Sequence, residues 1–187
     1  MDMHGAVQNS YYDVEQLCNE AVSRNFRGDP NAVPSIISQA TYEHVWNTFV
    51  QWCQSEVDQG RAVNVGQFGH VGYQQVRDNM RILYIKLSDH FLQTHKLMYK
   101  PEMADFSGVQ LQPVTRPNFT TMAKNIQVDK GTFQTVLLNI FQVIGELLSE
   151  APMVDVDLGE MGKFYSNNRQ ILYEPFNKMK PQAPQGK

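Results

Sequence analysis

Two stretches of the chain place apolar residues on one helical face: Tyr42, Val45, Trp46, Phe49, Val50, Cys53 and Val57, then Phe133, Val136, Leu137, Ile140, Phe141, Ile144, Leu147 and Leu148. Each predicts an amphipathic helix. The first would start at a cap on Ser38 or Thr41 and run to about Gln59, with Gly60 ending it; the second starts at Asp129 and stops at Pro152. Beyond each helix the period falls from 3.6 to 2. Val63 and Val65 flank Asn64, and Val154, Val156 and Leu158 alternate with Asp155 and Asp157, as in half-buried strands. Shorter helices are expected over residues 11–24 (Val14, Leu17, Cys18 and Ala21, with Ser10 as cap), from Ser88 or Asp89 to Leu97, and from Asn118 to about Ile126.

The two long patterns are one pattern stated twice. Trp46, Phe49, Val50, Cys53 and Val57 fall, at one constant offset, on Leu137, Ile140, Phe141, Ile144 and Leu148. The strands repeat too. Arg81-Ile82-Leu83-Tyr84, after a turn at Arg77-Asp78-Asn79, matches Gln170-Ile171-Leu172-Tyr173 after a turn at Ser166-Asn167-Asn168. A repeat carried by apolar positions points to a duplicated fold of class α+β. The chain divides into a helical extension (1–34), a first module (35–98), a proline-containing linker (99–117), a second module (118–176) and a basic tail (177–187) expected to be disordered. Core positions are expected at Phe49, Val50, Phe68 and Ile82 in one module and at Ile140, Phe141, Leu158 and Ile171 in the other.

Candidate chemistry is sparse. Cys18 and Cys53 sit on apolar stripes and read as buried hydrophobes, and His90 and His95 are five apart, off a common helical face, so no metal is expected. Gly66, Gly69 and Gly72 recur every third residue, yet lead into a strand and not a helix; they read as bends, not as a phosphate loop. Asp155 and Asp157 share one strand face and read as a solvated surface that discourages edge pairing. Arg27-Gly28-Asp29 reads as a turn, and Asn118 in Asn118-Phe119-Thr120 as a cap. With no triad, ligand set or reactive thiol in view, neither an enzyme nor a cofactor is expected. The formal charge is −3, the tail carries three cations, Lys178, Lys180 and Lys187, and no acid, and neither module is basic. Nucleic-acid affinity depends on neutralised phosphates, so nucleic acid is not an expected partner. No uninterrupted apolar run reaches the roughly 18–20 residues of a bilayer span, and the N-terminus lacks a signal-peptide order, which places the protein in a cytoplasm-continuous, reducing space.

A helix, a longer helix and then a hairpin entered through Gly66-Gln67-Phe68-Gly69-His70-Val71, or through Leu158-Gly159-Glu160-Met161-Gly162-Lys163-Phe164, resembles the HU/IHF fold. In tandem, the pair resembles the eukaryotic HU domains of the coiled-coil domain-containing protein eighty-one family. That resemblance implies a structural role in the cilium, on axonemal doublet microtubules, with tubulin and neighbouring lattice proteins as partners. The alternative it carries is an architectural DNA-binding protein. The DNA-bending arms of bacterial relatives have no counterpart at either turn, which holds no proline wedge and no basic run. Residues suited to lying along a partner are Tyr99, Met103 and Phe106 in the linker, and Lys178, Lys180 and Lys187 in the tail.

Overall fold

Ser10–Tyr12 forms a strand, β1, where a helix was expected, and the first helix starts three residues later than a cap at Ser10 would place it. Asp13 explains the shift. Its Oδ1 accepts the Gln16 N–H at 2.8 Å while Gln16 Oε1 accepts the Asp13 N–H at 3.0 Å, a reciprocal capping box that starts α1 (Val14–Asn25). The computed structural model describes residues 9–25, 37–75, 81–101 and 113–176. The expected turn at Arg77-Asp78-Asn79 and the Arg27-Gly28-Asp29 turn lie outside them.

Ser38 caps α2 (Gln39–Asp58), accepting the Thr41 N–H at 3.2 Å. There follow β2 (Ala62–Asn64), β3 (Gly69–Gln75), β4 (Arg81–Leu87), α3 (Asp89–His95), β5 (Met98–Tyr99) and β6 (Val114–Thr115). The second copy holds α4 (Phe119–Asn125), capped by Asn118, then α5 (Lys130–Glu150), capped by Asp129, then β7 (Met153–Asp157), a 3-10 turn at Gly159–Met161, β8 (Lys163–Asn167) and β9 (Gln170–Glu174). The fold is α+β, and Cys18 and Cys53 are buried free thiols. By length and composition α5 could cross a bilayer, contrary to the reading from uninterrupted runs, but ten of its residues are buried in this fold.

The two copies are joined reciprocally. One sheet runs β1-β7-β8-β9-β5 and the other β4-β3-β2-β6. The strand before α1 pairs in parallel with β7 of the second copy, Tyr12 opposite Val156; the strand before α4 pairs in parallel with β2 of the first, Thr115 opposite Val63. The ends of the 99–117 linker are therefore sheet strands, β5 on one sheet and β6 on the other. Helices cross as well, since α1 packs on both α2 and α5, and α4 on both α5 and α2. A single core results. Phe141 of the second copy stacks on Phe68 of the first at 4.0 Å and meets the Phe49 and Trp46 rings edge-on at 5.6 and 6.3 Å. Arg24 of α1 bonds Glu146 and Glu150 of α5 at 2.9 and 2.5 Å, and Asn139 donates to the Tyr42 hydroxyl at 3.1 Å.

Several strand expectations change. Asp155 and Asp157 do not line a free edge, because β1 lies along β7: Tyr11 donates its hydroxyl to Asp157 at 3.0 Å and Asn9 reaches Asp155 at 3.4 Å. Ile82 is only half-buried, and the inward residues of β4 are Leu83, Ile85 and Leu87. The other seven expected core residues are buried. The error came from aligning the two hairpins by their similar last strands. Asn168 and Arg169, at φ 49° and 67°, close the second hairpin in a two-residue turn, which sets Ile171 opposite Ser166. In the first hairpin Leu83 faces Tyr73. A one-residue slip in a strand exchanges its faces.

The turn after the first strand is the same in both copies. Asn64 Oδ1 accepts the Gly66 N–H, and Asp157 Oδ1 the Gly159 N–H, each at 2.9 Å; Val65 then bonds Gly69, and Leu158 bonds Gly162, each at 2.9 Å. Gly69 and Gly162 are matched positions at φ 151° and 95°. A Cβ on either would meet backbone oxygen, Lys86 O at 2.1 Å or Glu174 O at 2.6 Å. Gly66 and Gly69 shape the expected bend, whereas Gly72 is a regular residue of β3 opposite Tyr84.

Candidate partner-binding clefts

The two matched turns each face the long helix of the other copy across a cleft, and the clefts are repeat equivalents. Leu158, Gly159 and Glu160 face Trp46, Asn47, Val50 and Gln51 of α2, with Val14, the first residue of α1, at one end. Val65, Gly66 and Gln67 face Leu137, Leu138, Phe141 and Gln142 of α5, with Phe119, the first residue of α4, in the same place. The spaces differ. The first measures about 360 Å³ and the second about 1060 Å³.

Helix α3 accounts for part of the wide cleft. Ser88 caps it, accepting the Phe91 N–H at 3.0 Å, and donates its own hydroxyl to the Gln67 carbonyl, which ties α3 to the turn. Phe91 packs edge-on against Phe68 at 5.2 Å. The His95 ring lies on α5 at Gly145, where a Cβ would come within 2.3 Å of it. Burial holds the His95 pKa below its ordinary value, against an opposing pull from Glu146, so the imidazole is neutral at pH 7. Lys96 ends the helix in the left-handed conformation at φ 53°. His90, Phe91, Thr94 and His95 thereby form a wall that the narrow cleft lacks among the described residues.

Of the residues singled out as partner-binding, Tyr99 belongs to the fold. It lies in β5, half-buried, its hydroxyl accepts the Leu87 N–H at 2.9 Å, and burial pushes its pKa upward. Met103, Phe106, Lys178, Lys180 and Lys187 lie outside the described residues. The wide cleft was not anticipated. One sign of it was present in the sequence: Leu138 sits off the apolar stripe of its helix, at the place where the first copy has Asn47, and it is 64% exposed. Arg116 and Lys130, which line the same cleft, gave no sign, because their spacing in the sequence does not place them on one face.

Both cysteines lie in the core. Burial pushes the Cys18 thiol up to about 12 and the Cys53 thiol upward as well, so neither is a ready thiolate. Compared with known proteins, the chain matches no protein-family model, and no curated protein is significantly similar to it.

Proposed function

We propose that this chain is a non-enzymatic scaffold made of two tandem HU/IHF-like modules that pair with each other within one chain. The observation that carries this reading is the reciprocal exchange: each copy lends the other a parallel strand, and both share the core around Phe141. HU-type helices bury their apolar faces by dimerising. A tandem chain that pairs its own copies meets that need internally and presents a fixed body, with its outward clefts and terminal segments left for other proteins. The ciliary setting, an axonemal doublet lattice with tubulin and neighbouring proteins as partners, rests on the family resemblance. Weak contacts suffice in such a lattice, because many copies side by side add through avidity.

Extraction of isolated cilia with rising salt tests the setting. A lattice component stays with the doublet microtubules after soluble matrix proteins are released. Recovery in the nucleus or the soluble cytosol, without enrichment on axonemes, overturns the ciliary assignment.

A further inference from the structure

We infer that the wide cleft is a docking site for an acidic peptide segment carrying apolar anchor residues. The comparison within the molecule motivates it. At the matched position the narrow cleft has Asn47 and the wide one has Leu138, which is 64% exposed on a protein whose other large side chains of α5 are mostly buried. A leucine left in water at the floor of a cleft favours an apolar occupant.

Charge supplies the second half of the argument. The narrow cleft includes a carboxylate, Glu160; among the described residues the wide cleft is lined by the cations Arg116 and Lys130 and by no Asp or Glu. Arg116 and Lys130 are exposed and have no ion pair or hydrogen bond with any described residue. Asp129, next to Lys130, is engaged by the Thr132 N–H at 2.8 Å and hydroxyl at 2.5 Å. On a chain of net charge −3, a cleft that among the described residues holds two cations and no carboxylate is a local reversal of sign that selects an anionic partner. A nucleic acid fits poorly, since two fixed cations release few counterions and an apolar floor has no phosphate to meet. A peptide with carboxylates at the rim and a leucine or phenylalanine on Leu138 and Phe119 matches both halves.

The proposal rests on the scaffold reading but fails separately from it, because peptide binding in solution involves no axoneme and axonemal retention is scored without a peptide. The probe is a fluorescein-labelled decapeptide of glutamates with one leucine and one phenylalanine four residues apart, titrated with the full chain in about 150 mM salt. Saturable anisotropy with Kd below about 100 μM is expected. Leu138→Asn, which installs the residue of the narrow cleft, and the double change Arg116→Glu with Lys130→Glu should each weaken binding at least tenfold. Asn47→Leu should change nothing. Thermal melting matching the wild type confirms that these exposed substitutions leave the fold intact. The inference is overturned by absent saturation, by variants that bind as well as wild type, by an all-glutamate decapeptide binding equally, or by a short DNA duplex displacing the probe.

Discussion

The two halves of the molecule agree inside and disagree outside. Residues of α2 and α5 at matched positions are buried alike, Tyr42 with Phe133, Phe49 with Ile140, Cys53 with Ile144, while the clefts above them differ almost threefold in volume. Two matched positions differ between them. Gly145 lets the His95 ring lie against α5 and so seats α3; the matched residue of α2 is Gln54, whose side chain reaches along its own helix to Asp58 at 3.1 Å. Leu138 replaces Asn47. A duplicated interior thus supports two surfaces, and the surface bearing α3, Arg116 and Lys130 is the better candidate for recognition.

The sharpest way to break the comparison is to ask whether the halves are separable. Ile140 has no exposed surface, so Ile140→Asp removes its packing, at about 2–5 kcal/mol, and buries an unpaired charge at further cost. Against a typical domain stability of about 5–15 kcal/mol this should unfold the chain. Both tryptophans, Trp46 and Trp52, belong to the first copy and report on it independently. Because Phe141 packs on Phe49, Phe68 and Trp46, tryptophan fluorescence and circular dichroism should be lost together. A first copy that keeps its tryptophan transition in this variant would mean two independent modules.

Next in size is Gly145→Ala. Alanine favours helix by about 1 kcal/mol over glycine, but here its Cβ would overlap the His95 ring, and overpacking costs about 1–3 kcal/mol. Helix α3 should lift from α5. The readout is the His95 titration followed by nuclear magnetic resonance: burial now holds its pKa down, so release should move it up toward about 6.5. An unchanged His95 titration would show that α3 stays seated and that Gly145 does not make the asymmetry.

How much of this was legible beforehand follows from range. The long helices, the Asp129 cap, the Ser38 cap as one of two candidates, and the apolar faces depend on neighbours within a turn or two, and were readable. β1 was not: Ser10-Tyr11-Tyr12 is too short to show alternation, and its partner β7 is distant in sequence. The same limit hid β5, β6 and the true neighbours of Asp155 and Asp157. The repeat itself misled at Ile82, because similar letters in β4 and β9 suggested an alignment that the differing hairpin lengths forbid. The wide cleft was half-legible, through Leu138 alone, since spacing cannot reveal that Arg116 and Lys130 line one cleft.

A smaller effect separates links between the copies from links within one. The Tyr173 hydroxyl donates to the Met161 carbonyl at 2.6 Å and lies 3.4 Å from the Leu83 carbonyl, so it bridges the second copy to the edge of β4 while almost fully buried. Tyr173→Phe should cost about 1–2 kcal/mol by leaving a buried acceptor unpaired, which is a fall of several degrees in Tm for a chain of this length. Tyr165 makes a similar 2.6 Å bond to Glu174 on its own sheet, but nearer water. Tyr165→Phe should cost less. Equal losses in the two variants would show that burial adds nothing to the Tyr173 bond.

The smallest expected effect distinguishes the two helix caps by pH. Ser38 does not titrate, whereas Asp129 caps the matched helix with a carboxylate that the Thr132 hydroxyl and N–H hold below its ordinary pKa. A carboxyl whose folded pKa is depressed contributes stability that is present above its unfolded value, near 3.9, and is lost as pH falls through the folded pKa. Asparagine caps about as well as aspartate but binds no proton in this range. Asp129→Asn should therefore melt close to wild type in strong acid and fall slightly below it as pH rises past 4. Glu56, held down by Arg61, adds its own acid slope to both proteins and cancels in the difference. Melting curves collected from about pH 2.5 to 6 decide the matter: a constant gap between the two proteins would show that the Asp129 charge adds nothing to the cap, and that the two helix starts are equivalent in energy as well as in geometry.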